Sequence, residues 1–139
     1  MLRYLTAYVC TTTIHFTVDM IWIGYLARDI YRAGMGPIMR DPINIPVAVL
    51  FYVIYAIGLV LFAVGPALNS GAWRTALVWG ALFGFFTYAT YDLTNLATLQ
   101  QFPATMAMID LAWGTILSAC SATGGFFVAR QILSKLGEG

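Results

Sequence analysis

Charge is scarce in this chain. Lysine, arginine, aspartate and glutamate together make up 9% of its 139 residues, where a soluble domain carries about a quarter. Hydrophobic residues make up 60%, and the mean hydropathy is +0.80. So little polar surface excludes a water-soluble domain of this length. The formal net charge of +1 excludes a basic field for nucleic acid and equally an acidic field for bulk cations. Cysteine is nearly absent too. Cys10 and Cys120 both fall inside apolar runs, where a free thiol behaves as a small hydrophobe, so no disulfide framework is expected and nothing follows about compartment.

Catalytic signatures are also missing. The chain has no GxSxG, no HExxH, no CxxC and no phosphate-cradling GxGxxG. Gly34 and Gly36, and likewise Gly80 and Gly84, have turn or packing explanations, and Ser118 and Ser121 have no nearby base apart from acids two turns away. Covalent catalysis is therefore not expected. His15 is the sole histidine. With Asp19 one turn away it could complete a one-histidine, three-carboxylate metal site, but a helix-to-helix hydrogen bond is the simpler reading. Haem would need a second histidine from a dimer. No metal and no cofactor is expected. The six methionines are scattered and read as gap-fillers.

What the chain does have is long apolar runs. A hydrocarbon core about 30 Å thick needs roughly 20 apolar residues per helix, so this length supplies four spans and little else. The expectation is an all-α, integral membrane four-helix bundle, one domain over residues 1–139, with helices near 4–27, 45–68, 73–99 and 103–130. The 2-3 and 3-4 connections, Asn69 to Gly71 and Gln100 to Phe102, are turn-sized, so each pair is an antiparallel hairpin. The first run resembles a signal peptide at its start, where Arg3 precedes it. It continues past the usual 7 to 15 residues and holds His15 and Asp19, so it is expected to be retained.

Residues 28–44 form the longer 1-2 loop. The segment contains Arg28, Arg32 and Arg40 with Gly34, Gly36, Pro37 and Pro42. Two readings stand: a loop with arginines at headgroup level, or a lid lying over the bundle. Arg40 and Asp41 in "MRDP" are loop charges on the first reading and close on the acids below, or on a lipid phosphate, on the second. Arg3, Arg74, Arg130 and Lys135 mark one membrane face against three arginines on the other, which leans to cytoplasmic termini.

Three acids fall inside the expected spans. Asp19 lies eight residues, ~12 Å, before Ala27, while Asp92 and Asp110 each lie seven residues, ~10 Å, from Leu99 and Pro103. Alternate helices run in opposite directions, so all three lie at one level, on the side where the arginine loop emerges. One such residue costs about 2.5–3.5 kcal/mol on insertion scales, and three facing lipid would cost on the order of 8–10 kcal/mol. They are expected to face inward and to share a proton.

The spacing agrees. Steps of four from Asp92 pass Tyr88, Gly84, Gly80 and Ala76, and from Asp110 they pass Gly114, Ser118 and Ala122. Small-xxx-small rows are faces on which membrane helices approach closely. In the first helix the same row is Thr11, His15 and Asp19. "DMIW" at 19 to 22 and "DLAWG" at 110 to 114 each place a tryptophan one turn from the acid, and "DLTN" puts Asn95 in that place after Asp92. The expected site is Asp19, Asp92, Asn95 and Asp110, walled by Trp22, Trp113, Tyr88 and Tyr91, with Arg40 above it. Gly80, Gly84, Gly114 and Ser118 are expected to pack helices.

"DMIWIG", "YRAGMGPIMRDPINIPVAVLFYVIYAIGLVLFAVGPAL", "GALFGFFTYATYDLTNLATLQQFP" and "DLAWG" resemble an uncharacterised family of small four-helix bacterial membrane proteins, a domain of unknown function. The likeness covers nearly the whole chain. It implies architecture and a bacterial inner-membrane location, and carries no catalytic role. His15 stands where that family is expected to have an apolar or aromatic residue, which counts against a mechanism that needs it.

Three functions remain. An acidic, aromatic pocket open to one leaflet suits a cationic or lipid-like small molecule, bound or transported. A lipid-modifying enzyme or accessory factor would use an acid of the cluster as general acid or base, with Arg40 on a headgroup. In a structural subunit of a membrane complex the acids would only lock helices together. The first ranks highest. The expected partners are membrane lipid, a small-molecule ligand, and a second copy (through Gly80 and Gly84) or another membrane protein, with no nucleic acid.

Overall fold

The computed structural model describes residues 1–137 and is entirely helical between its turns. Helix α1 spans Leu2–Ile21 and runs straight into a π-helical turn, Trp22–Leu26, whose i→i+5 bond closes from Ala27 N to Trp22 O at 2.8 Å. Ala27 then turns the chain. The segment expected as loop holds helix α2, Arg28–Met35, followed by a 3₁₀ turn, Gly36–Ile38. Tyr31, Gly34 and Met35, at i, i+3 and i+4, make its inward side, and Gly34 faces Pro103 and Met106 at the start of the last helix.

Helix α3, Ile45–Leu59, starts at Asn44, whose side chain accepts from Val47 N at 3.4 Å, with Pro46 in the first turn. It continues through a second π turn, Val60–Val64, into α4, Gly65–Ser70. Pro66 explains the interruption. Proline has no N–H for the residue-62 carbonyl and its ring crowds that turn, so the helix widens ahead of it. Gly71, at φ 69°, ends α4 in the left-handed conformation that glycine adopts without strain. Helix α5, Trp73–Thr98, and helix α6, Ala104–Lys135, follow, the last extending five residues beyond the expected end at Arg130.

Packing is closest along the α5–α6 seam, then between α1 and α6. Gly80, Gly84, Gly114 and Ser118 all lie on that seam. A Cβ on Gly84 would sit 2.3 Å from the Gly114 carbonyl oxygen, and one on Gly80 would sit 2.8 Å from Ala122 Cβ. The small-residue row therefore packs within one chain, where the sequence also allowed contact between copies. The α3–α4 rod meets α5 mainly through the Val60–Val64 turn and α4, so Ile45–Leu59 stands away from α5 above that point. That divergence opens the cavity described below.

The core is built largely of alanine, with Ala7, Ala63, Ala67, Ala76, Ala122 and Ala129 around Phe126, Leu59 and Val64. Large apolar side chains point outward, among them Leu50, Phe62, Phe86, Leu93 and Met108. Small inside and large apolar outside is how helices pack in lipid, where close backbone approach replaces hydrophobic burial. The Ile45–Ser70 and Ala104–Lys135 helices are each long and apolar enough to cross a membrane.

Candidate functional site

Each of the three central acids has a different environment. Asp19, 2% exposed, receives two donors: the Trp113 indole N–H at 3.0 Å on one oxygen and the Tyr52 hydroxyl at 2.6 Å on the other. One carboxylate thus joins α1, α3 and α6. Trp113 in turn stacks on Trp22, with ring centroids 4.1 Å apart and planes 9° from parallel. The two tryptophans of the repeated D-x-x-W pattern therefore meet face to face across the helix pair. A π turn places Trp22 there, and the Trp22 indole nitrogen is buried with no hydrogen-bond partner among the described residues.

Asp110 accepts a hydrogen bond from the Tyr31 hydroxyl, which ties α2 down onto α6. Burial, then this bond, pushes the Tyr31 phenol well above its usual ionisation range, so it is a neutral donor at physiological pH. Asp92 is 1% exposed, and neither of its oxygens has a hydrogen-bond partner among the described residues.

Along α1 the polar stripe continues inward. His15 Nδ1 lies 3.2 Å from Ser121 Oγ, and its ring stacks on Tyr55 at 4.9 Å. Tyr55 reaches Ser118 Oγ at 2.7 Å and Thr87 Oγ1 at 3.2 Å. This layer joins α1, α3, α5 and α6 beneath the acids.

Above it, where α3 parts from α5, is a cavity of about 450 Å³ lined by Phe51, Tyr55, Thr87, Tyr88, Tyr91 and Asp110. Tyr88 lies flat on Gly114, where a Cβ would come within 2.2 Å of its ring. Glycine at 114 is what lets that ring form the cavity wall. Phe51 and Tyr91, about half exposed, stand at the mouth between the two helices. The cavity is aromatic and apolar with one carboxylate, a combination suited to a cationic head on an apolar body.

Of the expected site residues, Tyr88, Tyr91 and Asp110 line this cavity. Asp19, Trp22 and Trp113 form the adjoining stacked and hydrogen-bonded layer. Asp92 and the half-buried Asn95 are outside the lining, and Arg40 is exposed in the connection after α2. Tyr31, Tyr52, Phe51, Tyr55 and Thr87 belong to the site and went unnoticed in the sequence. An aromatic in an apolar helix gives no signal of its own; Tyr52 and Tyr55 share a helix face at i, i+3, which was the only hint. Among the described residues, no group of three histidine, cysteine, aspartate or glutamate side chains is placed to hold a metal ion.

Residues 4–127 match the family described as "Predicted membrane protein (DUF2177)", and the chain belongs to that family. No curated protein and no solved structure matches it.

Proposed function

We propose that this protein is a bacterial inner-membrane four-helix bundle that holds a cationic, lipid-like small molecule in the cavity between α3 and α5. The cavity wall carries the reading: four aromatic rings and one carboxylate, Asp110, around a space of about 450 Å³. Such a volume takes a headgroup-sized ligand. Cation–π attraction contributes roughly 0.5–2 kcal/mol per ring, more where water is excluded. The mouth at Phe51 and Tyr91 faces sideways, so the ligand would enter from the lipid.

In this reading all the long helices span. Buried polar residues, Thr11, His15 and Asp19 on α1 and Asp92 on α5, lower the hydropathy of these two helices and turn inward from the lipid. Arg3, Arg74, Arg130 and Lys135 mark the cytoplasmic end. Helix α2 lies at the opposite interface, held over Asp110 by Tyr31. A structural role is the second reading, and it applies to Asp19, whose two bonds join three helices. An enzymatic role through Arg40 has no support in the cavity, whose lining does not include that residue.

The test is native mass spectrometry of the full chain offered dodecyltrimethylammonium and a neutral dodecyl glycoside at equal concentration. Wild type is expected to retain the ammonium amphiphile selectively. Asp110→Asn should weaken retention at least ten-fold while keeping the thermal transition. Equal retention by wild type and Asp110→Asn, or no preference for the cation, would overturn the proposal.

A further inference from the structure

The opposite end of the molecule carries a second cavity, of about 600 Å³, between the first turn of α1, the Asn69–Gly71 turn and the last turns of α6. Its floor is apolar, with Phe126 and Leu133 buried beneath it. Its rim is cationic: Arg3 and Arg130 both line it, and among the described residues no acidic side chain does. The Arg130 guanidinium lies 5.8 Å from the centroid of the Phe126 ring, which holds it over the floor. Asn69, Ser70 and Ser134 supply neutral hydrogen-bonding groups at the same rim.

Ser70 and Ser134 already donate their hydroxyls to Ala67 O and Gln131 O, which leaves the two guanidinium groups and the Asn69 amide as the donors of the cleft, a set that suits a phosphate oxyanion. The source of that phosphate is indicated by a second feature of the first turn of α1. An apolar groove of about 320 Å³ begins at Met1 and runs between Tyr4, Leu5 and Tyr8 of α1 and the Ile57–Leu61 stretch. It starts at the same end as the cleft, and from Met1 to Tyr8 it covers ~10 Å of helix, the depth of the upper part of an acyl chain. A free phosphate would use the cleft alone, whereas a phospholipid would fill both.

We propose that the Arg3–Arg130 cleft binds the phosphate of an anionic phospholipid, with an acyl chain in the groove that starts at the same end of α1. This site is separate from the aromatic cavity and does not depend on it. The arginines hold the headgroup at the end where both termini emerge, and the α1–α3 groove orients the lipid.

Native mass spectrometry of the full chain tests this with phosphatidylglycerol, phosphatidylcholine and inorganic phosphate as probes. Wild type should retain phosphatidylglycerol about ten-fold over phosphatidylcholine. The double variant R3Q/R130Q should lose that preference, R3K/R130K should keep part of it, and R74Q, at the same end but outside the cleft, should keep all of it. The lysine pair also serves if the glutamine pair does not fold. Loss of preference in R74Q equal to that in R3Q/R130Q would show diffuse attraction and overturn the site. Equal retention of the two lipids by wild type would do the same. Displacement of phosphatidylglycerol by equimolar inorganic phosphate would overturn the lipid assignment in favour of a free anion.

Discussion

Replacing Gly84 by alanine tests the α5–α6 seam on which the rest of the site depends. The new Cβ would lie 2.3 Å from the Gly114 carbonyl oxygen, 2.6 Å from Ser118 Oγ and 2.7 Å from Ser118 Cβ. The first obstacle is backbone, so no rotamer change relieves it; the helices must part by about 1 Å to reach ordinary van der Waals separation. Ser118 is fully buried and bonded to Tyr55 at 2.7 Å, so it has little freedom to move. Overpacking of this kind costs about 1–3 kcal/mol, and here the upper part of that range applies because a whole helix pair must shift. For a chain of this size the thermal transition should fall on the order of 10 °C. The assay is a thermal melt in mild detergent, read beside Gly24→Ala, where nothing lies within 4 Å of the new methyl. That control should be neutral or slightly stabilising, by under about 1 kcal/mol. A Gly84→Ala protein that melts like wild type would refute the seam. So would one whose only change is loss of an oligomer by native mass, since the row would then pack between copies.

Gly114→Ala meets the Tyr88 ring first, and a side chain can swing away where backbone cannot; it should cost less stability than Gly84→Ala yet lower ammonium retention about ten-fold by removing a cavity wall, as titration would read. Asp19→Leu strands the Trp113 N–H and the Tyr52 O–H, at about 1–3 kcal/mol each. Asp19→Asn keeps one acceptor and offers Tyr52 a donor, so it should lose under about 1 kcal/mol; equal melts for the two variants would remove Asp19 from its joining role. His15→Phe keeps the stack on Tyr55 but leaves the fully buried Ser121 hydroxyl without its 3.2 Å partner, so it should cost about 1–3 kcal/mol in the melt. Tyr31→Phe deletes the tie between α2 and Asp110; limited trypsin digestion at Arg28 and Arg32 should speed up several-fold with the global melt little changed.

The insertion cost of a buried carboxylate was enough, before any coordinates, to turn Asp19, Asp92 and Asp110 inward, and all three are buried in the fold. Their partners were not legible. Trp113 lies 94 residues from Asp19, and Tyr31 lies 79 from Asp110. Spacing rules for a helix reach one turn, so they show which residues share a face and are silent about what stands opposite. Helix α2 was missed for a related reason. It has only eight residues, with one glycine inside and another with a proline just beyond it, and a helix that short has weak intrinsic stability. Its docking on Pro103, Met106 and Asp110 is what fixes it.

The sequence alone determined that this chain is helical, that it is too apolar for water, and that its polar and small residues fall on inward faces, because those follow from composition and the 3.6-residue period. Tertiary structure alone decided that Asp19 accepts one hydrogen bond on each oxygen, that Asp92 has no donor among the described residues, and that Asp110 faces an aromatic cavity. Those differences arise where α3 diverges from α5 and α2 folds back over α6, and they depend on relative helix placement, which no local pattern encodes.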